Sequence, residues 1–314
     1  MTPGYDHPLF ILAFDHRGSF QKKFFGIEGE PSPEQTQTIA DAKHLIFEGL
    51  QRAIADGAEV ASCGVLVDEQ FGSTIPGEAR SQGLTLAMPV ERSGQPLFDF
   101  EYAERFGEHI ERFAPDFTKV LVRYNPEGDA EGNRTQLERL KRLSDWLRAE
   151  GPGGGARPRF LFELLVPAEP AQLASAGGSG ERYDAELRPE LMRRAIAEIQ
   201  DAGIEVDVWK IEGVERREDC EMLAAQARAG GRDGVACVVL GRGANAAKVE
   251  EWLRQAAPVR GFIGFAIGRT IWWDPLKEYV DGQRERADAA AQIAGNYLRF
   301  RSVYDATKRT ASVA

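Results

Sequence analysis

The chain has 314 residues, 43% of them hydrophobic and 28% charged, the proportions of a soluble globular protein and a length that an α/β barrel commonly reaches. Its formal net charge of −10 argues against nucleic acid as a partner, because a phosphate backbone demands a basic face. Three scattered cysteines (Cys63, Cys220, Cys237) and four histidines (His7, His16, His44, His109) without an HxH or HxxxH pair make neither a disulfide framework nor a metal-ligand spacing, so no metal is expected.

The opening MTPGYDHPLF lacks the basic region and apolar run of a signal peptide. No stretch approaches the roughly 20 apolar residues that a membrane span needs. A cytoplasmic protein without a membrane partner is expected.

In chain order, the first strand candidate is LFILAF (9–14). Ser32 then caps a helix with Pro33 at its first position and Gln35 three residues past the cap. Ile39, Ala42, Ile46, Leu50 and Ala53 carry the apolar face of that helix toward Gly57. Further strand candidates are EVASCGVLV (59–67), LTLAMPV (84–90), FTKVLVRY (117–124) and RFLFELLV (159–166). GPGGGARP (151–158) reads as a helix-to-strand connection, and SAGGSGE (175–181) as a flexible loop. A helix over 189–203 starts on Pro189 and stops at Gly203, before the strand VDVWKIE (206–212). ACVVLG (236–241) follows, with Asn245 as a cap for the next helix, then GFIGFAI (261–267). A long helix over about 283–305 carries Ala290, Ile293, Tyr297, Phe300 and Tyr304.

Near-continuous apolar strands alternating with helices predict a (β/α)8 TIM barrel, a single domain over 1–314. The rival, a doubly wound open sheet for dinucleotides, wants a glycine-rich turn after its first strand, and FDHRGSF is not one.

A barrel carries its chemistry on inward residues at the C-terminal ends of its strands. Strand alternation aligns Ile11, Ala13 and Asp15, with His16 and Arg17 following in the loop. It aligns Gly64, Leu66 and Asp68 in the second strand, while the third delivers Glu91 past its end. In the fourth, Lys119, Leu121 and Arg123 share a face, and in the fifth Leu161, Glu163 and Leu165 do. The sixth places Val206, Val208, Lys210 and Glu212 together. Asp15, Lys119, Glu163 and Lys210 thus form a charged set on four strands, and buried charges must be paired or functional. Desolvation disfavours an ammonium, which is the condition for a lysine nucleophile that forms Schiff bases. A structural ion cluster is the alternative. The last two strands end in VVLGRGAN and FAIGRTIWW, so Gly241, Arg242, Gly243, Gly268 and Arg269 predict an anion site.

With these residues the chain resembles the Schiff-base aldolases related to tagatose-1,6-bisphosphate aldolase. More closely it resembles the aldolase-like domain fused to 5-dehydro-2-deoxygluconokinases in inositol catabolism. The motifs are LFILAFDHRGSF (9–20), TKVLVRYNPEGD (118–129), FLFELLVPAE (160–169), VDVWKIEG (206–213) and GFAIGRTIWWDP (264–275). The resemblance implies cleavage of 2-deoxy-5-keto-gluconate 6-phosphate to dihydroxyacetone phosphate and malonate semialdehyde, with no cofactor. It implies Lys210 as the Schiff-base lysine, Glu163 as acid/base, Lys119 and Asp15 as a supporting pair, and Gly268 and Arg269 at the phosphate. Arg242, where tagatose enzymes have a serine-containing turn, adds a positive charge. Arg17 or Arg123 is expected at the substrate carboxylate, with Lys119 repelling the charge of Lys210. Another ketose phosphate, a non-catalytic sugar-phosphate sensor and an isomerase remain as alternatives, and a homo-oligomer is compatible with the sequence.

Overall fold

A computed structural model describes residues 2–313, so Met1 and Ala314, the ends of the expected 1–314 span, lie outside it. The elements run β1 (Leu9–Ala13), α1 (Gly18–Lys23), α2 (Pro33–Ala55), β2 (Cys63–Leu66), α3 (Glu69–Gly72), α4 (Ile75–Ser81) and β3 (Thr85–Pro89). Then come α5 (Phe106–Phe113), β4 (Phe117–Arg123), α6 (Ala130–Arg148), β5 (Arg159–Leu165), α7 (Pro170–Ser175), α8 (Gly180–Arg182) and α9 (Arg188–Asp201). The chain closes with β6 (Val208–Glu212), α10 (Arg217–Ala227), β7 (Ala236–Leu240), α11 (Ala246–Ala256), β8 (Phe262–Ile267), α12 (Arg269–Val280) and α13 (Arg286–Val313).

The strands form a closed barrel in the order β1 to β8, with β8 returning to β1, and every pair is parallel. Closure explains the continuous apolar runs, since each strand has two faces to bury. Leu9, Ile11, Leu66, Phe117, Leu161 and Val208 fill the interior. The alternate residues, among them Phe10, Leu12, Phe162 and Trp209, pack beneath the helices.

The helix signals act as expected at several ends. Ser32 and Gln35 close a reciprocal capping box on α2, and Asn245 accepts the Lys248 N–H at 2.9 Å to start α11. α13 is tied to the barrel by its aromatics: Tyr297 Oη donates to the Phe10 carbonyl at 2.8 Å and Tyr304 Oη to that of Phe262 at 2.9 Å.

Three local expectations change. The strand expected over 59–67 begins only at Cys63, because Ser62 Oγ donates to the Glu59 carbonyl and folds Val60–Ser62 into a 3-10 turn. The stretch 175–181 includes the end of α7 at Ser175 and the start of α8 at Gly180, with Ser179 Oγ accepting the Arg182 N–H. A π turn, Tyr183–Leu187, then leads into α9. The final helix starts at Arg286 rather than 283 and extends past 305. Among the described residues no helix is long and apolar enough to cross a membrane.

Candidate active site

The C-terminal ends of the strands surround a cavity of about 490 Å³. Register decides what meets there. Glu163 on β5 is the direct partner of Lys210 on β6, and Lys119 on β4 pairs with Leu161, one inward step below Glu163. Two lysines and a carboxylate are therefore stacked within the barrel by strand geometry alone.

Lys119 Nζ lies 2.8 Å from Asp15 Oδ2, 2.8 Å from Glu91 Oε1 and 3.1 Å from Glu163 Oε2. Lys210 Nζ lies 2.9 Å from the same Glu163 Oε2, and its side chain is only 3% exposed. Burial opposes the charge on Lys119, but Asp15, Glu163 and Glu91 outweigh it and hold its pKa above the ordinary lysine value. Burial likewise opposes the charge on Asp15 and Glu163, and the two lysines overcome it, keeping both carboxyls below their usual range. Glu91 differs: burial prevails over Lys119 and Arg17 and raises its pKa. Glu163 Oε2 stands between the two lysine nitrogens, within 3.1 Å of Lys119 and 2.9 Å of Lys210. The simple like-charge repulsion expected of Lys119 is thus replaced by a shared carboxylate.

His16 also lines the cavity and was not singled out as a site residue, although it adjoins Asp15 in the motif FDHRGSF. Its ring stands edge-on to Trp272, with centroids 5.6 Å apart, and its Nδ1 is buried without a hydrogen-bond partner among the described residues. Burial lowers its pKa to about 4 against the pull of Asp15, with Arg269, Lys210 and Lys43 adding to the drop. The imidazole is neutral at neutral pH.

Asp68 does not reach the cavity. β2 ends at Leu66, and past that point alternation no longer governs direction. Asp68 instead pairs with Lys43 of α2, both fully buried, and its Oδ1 accepts the Phe71 N–H at 2.9 Å to cap α3.

The arginines around the mouth, Arg17, Arg92, Arg123, Arg242 and Arg269, divide into two kinds. Arg17 is bound within the protein, donating to the Glu91 carbonyl at 2.7 Å and pairing with Glu101 at 3.2 Å. Arg242 pairs with Glu212 at 3.0 Å and with Asp184 at 2.5 Å. Its charge is already balanced, so it is not the free extra cation that the sequence suggested. Arg269 has no acidic partner among the described residues; its Nη2 donates to the Arg242 carbonyl at 3.2 Å. Arg123, exposed at the end of β4, makes no side-chain hydrogen bond or ion pair among the described residues, yet borders the cavity.

Two glycines shape the anion end. A Cβ on Gly268 would lie 2.3 Å from the Ala13 carbonyl oxygen, so only glycine lets β8 turn into α12 here. Gly243, at φ +74°, admits the Arg269 guanidinium so closely that a Cβ would stand 2.8 Å from it. Gly241 ends the β7 turn, accepting the Ala244 N–H at 2.9 Å. A larger hollow of about 590 Å³ lies behind this turn, lined by Arg269, Trp273, Asn296 and Phe300, and neither buried lysine opens onto it. No group of three or more His, Cys, Asp and Glu side chains among the described residues is arranged to hold a metal ion.

The fold is similar to that of a fructose-bisphosphate aldolase from Plasmodium falciparum, solved as a ternary co-crystal with TRAP and a small-molecule inhibitor. The TM-score is 0.61 over 95% of this chain and 91% of that one, at 12% identity, a likeness of fold. No curated protein matches the chain in sequence. A family model described as an uncharacterized protein conserved in bacteria (DUF2090) matches residues 4–308, and the chain belongs to that family.

Proposed function

We propose that this protein is a Schiff-base aldolase acting on a phosphorylated keto-sugar acid. The observation that carries the reading is Lys210: an enclosed amine, 2.9 Å from a carboxylate, in a cavity that also opens onto the unpaired Arg269. As the free amine, its Nζ attacks the substrate ketone, the carbonyl oxygen leaves as water, and the iminium formed withdraws electrons from the bond to be broken. Glu163, held as a carboxylate, takes the proton from the hydroxyl whose carbon leaves as an aldehyde. The resulting enamine is reprotonated and hydrolysed, freeing Lys210. Lys119 stays an ammonium throughout and holds Asp15, Glu91 and Glu163 in place.

Arg269 and the glycine turns beside it suit a phosphate. Arg123 and Arg92, which also border the cavity without an acidic partner among the described residues, suit a carboxylate at the other end of the substrate. Unpaired arginines after β3 and β4 on one side and after β8 on the other favour a substrate with two anionic ends, which supports 2-deoxy-5-keto-gluconate 6-phosphate. Dihydroxyacetone phosphate and malonate semialdehyde are then the products. The resemblance to the aldolase-like domains of inositol catabolism supports the same choice.

Borohydride reduction in the presence of substrate, followed by peptide mapping, tests the centre of the proposal, alongside a coupled assay of triose phosphate release. The expected result is an adduct on Lys210 and release of the triose phosphate. An adduct on another lysine, or turnover with no trappable adduct, refutes it.

A further inference from the structure

We infer that Lys43 is a positioning residue that aims Asp15 into the reactive cluster; the inference rests on the proposal that this cluster is catalytic. Lys43 belongs to α2 on the outside of the barrel, and its side chain is fully enclosed. Its Nζ donates to the Phe14 carbonyl at 2.7 Å, to the His16 carbonyl at 3.0 Å and to Asp68 Oδ2. An ammonium has three N–H groups, and here all three are used.

The two carbonyls are those flanking Asp15. β1 ends at Ala13, and the Phe14 N–H makes a further contact with β2, to the Leu66 carbonyl at 2.8 Å. Beyond it the backbone turns away from the sheet, and Lys43 supplies the donors that the ladder no longer does. With both neighbours fixed from outside the barrel, the Asp15 side chain is directed inward, where Oδ2 meets Lys119 at 2.8 Å. The rings of Phe20 and Phe71 stand 5.7 and 5.9 Å from the Lys43 nitrogen and cover it.

A charged pair is a poor choice where only stability is needed. Apolar residues of similar volume often serve as well or better than a buried ion pair. An apolar pair cannot hold two carbonyls at a set angle, and Lys43 does. Asp68 balances the charge, and its second oxygen caps α3, joining the β2–α3 turn to the same point.

The test separates stability from aim. Lys43→Met leaves a buried carboxylate and two buried carbonyls unpaired, and loses both Tm and kcat. In Lys43→Met with Asp68→Asn the stranded charge is gone and the α3 cap is kept, so much of the Tm returns. We expect kcat of that double variant to stay roughly 10–100-fold down, the scale of an ångström-level misplacement, with borohydride trapping on Lys210 intact. Asp68→Asn alone keeps both carbonyl bonds and retains most of kcat. A double variant with wild-type kcat overturns the inference, as does an Asp68→Asn enzyme as impaired as Lys43→Met. A crystal structure of the double variant gives a readout without turnover: the Asp15 carboxylate should leave Lys119, and an unmoved Asp15 also overturns it. If the wild type itself neither traps nor turns over, the aldolase reading fails while the clamp is still decided by that structure.

Discussion

Replacing Lys119 with methionine removes the one cation shared by Asp15, Glu91 and Glu163. Glu91 keeps Arg17 and Glu163 keeps Lys210, but Asp15 has no other ion pair among the described residues. Burial, already the largest influence on Asp15 and opposed to its charge, then loses its main counterweight, with Lys210 the chief charge still favouring the carboxylate. Removing one partner of a buried ion pair costs about 3–5 kcal/mol, and the loss of Lys119 should fall in that range at neutral pH. The signs for the wild type follow from its shifts. Asp15, with its pKa lowered, stabilises above its unfolded pKa and loses that contribution as the solution is acidified through its folded one. Lys119, with its pKa raised, stabilises below the unfolded lysine value and loses its contribution as pH climbs toward the folded one. In the variant the sign at Asp15 reverses: its folded pKa is raised, so acidification from neutrality relieves the penalty. Urea unfolding of both proteins between about pH 5 and about pH 8 should show a stability gap that narrows on acidification, by about 1.4 kcal/mol per pH unit for each proton taken up. Glu91 and Glu163, which also lose Lys119, add to the narrowing, while groups remote from the cluster cancel in the difference. A gap that stays constant across this range would falsify the electrostatic account of the cluster.

Glu163→Gln should lower kcat by about 10²–10⁴, the usual worth of a general acid or base. Trapping on Lys210 should persist, and turnover like wild type would take Glu163 out of that role. Arg269→Met should cost kcat/KM roughly 10–100-fold with a phosphorylated substrate, matching the ~1.5–3 kcal/mol of a hydrogen bond to a charged group. It should cost little with the unphosphorylated analogue. Arg242→Met, whose partner charges are Glu212 and Asp184, should lower Tm more than it changes phosphate selectivity. Steady-state kinetics on the two substrates, with thermal melts, decide between these outcomes, and equal selectivity losses in both variants would count against the division of the arginines.

The barrel was legible because its strands carry two buried faces, a pattern that survives without tertiary information. Lys119, Glu163 and Lys210 were legible for the same reason: they sit within β4, β5 and β6, where side-chain direction strictly alternates. Asp68 was misread because alternation was carried past Leu66, where the strand had ended. His16 was passed over because it lies beyond Ala13, in a loop whose direction depends on what holds it. That holder, Lys43, looks in sequence like one more polar residue of an amphipathic helix. The positive charge of Arg242 was readable, but its neutralisation by Asp184 joins positions 58 residues apart and has no local signature.

One oxygen of Glu163 serves two amines, and that has a consequence for anyone who titrates this protein. A proton arriving at Oε2 loosens its contacts to Lys119 and to Lys210 at the same instant. The inflections of a pH–rate curve will therefore be macroscopic constants of the whole assembly of lysines and acids. A single substitution shifts the behaviour of the ensemble, and no midpoint can be handed to one side chain.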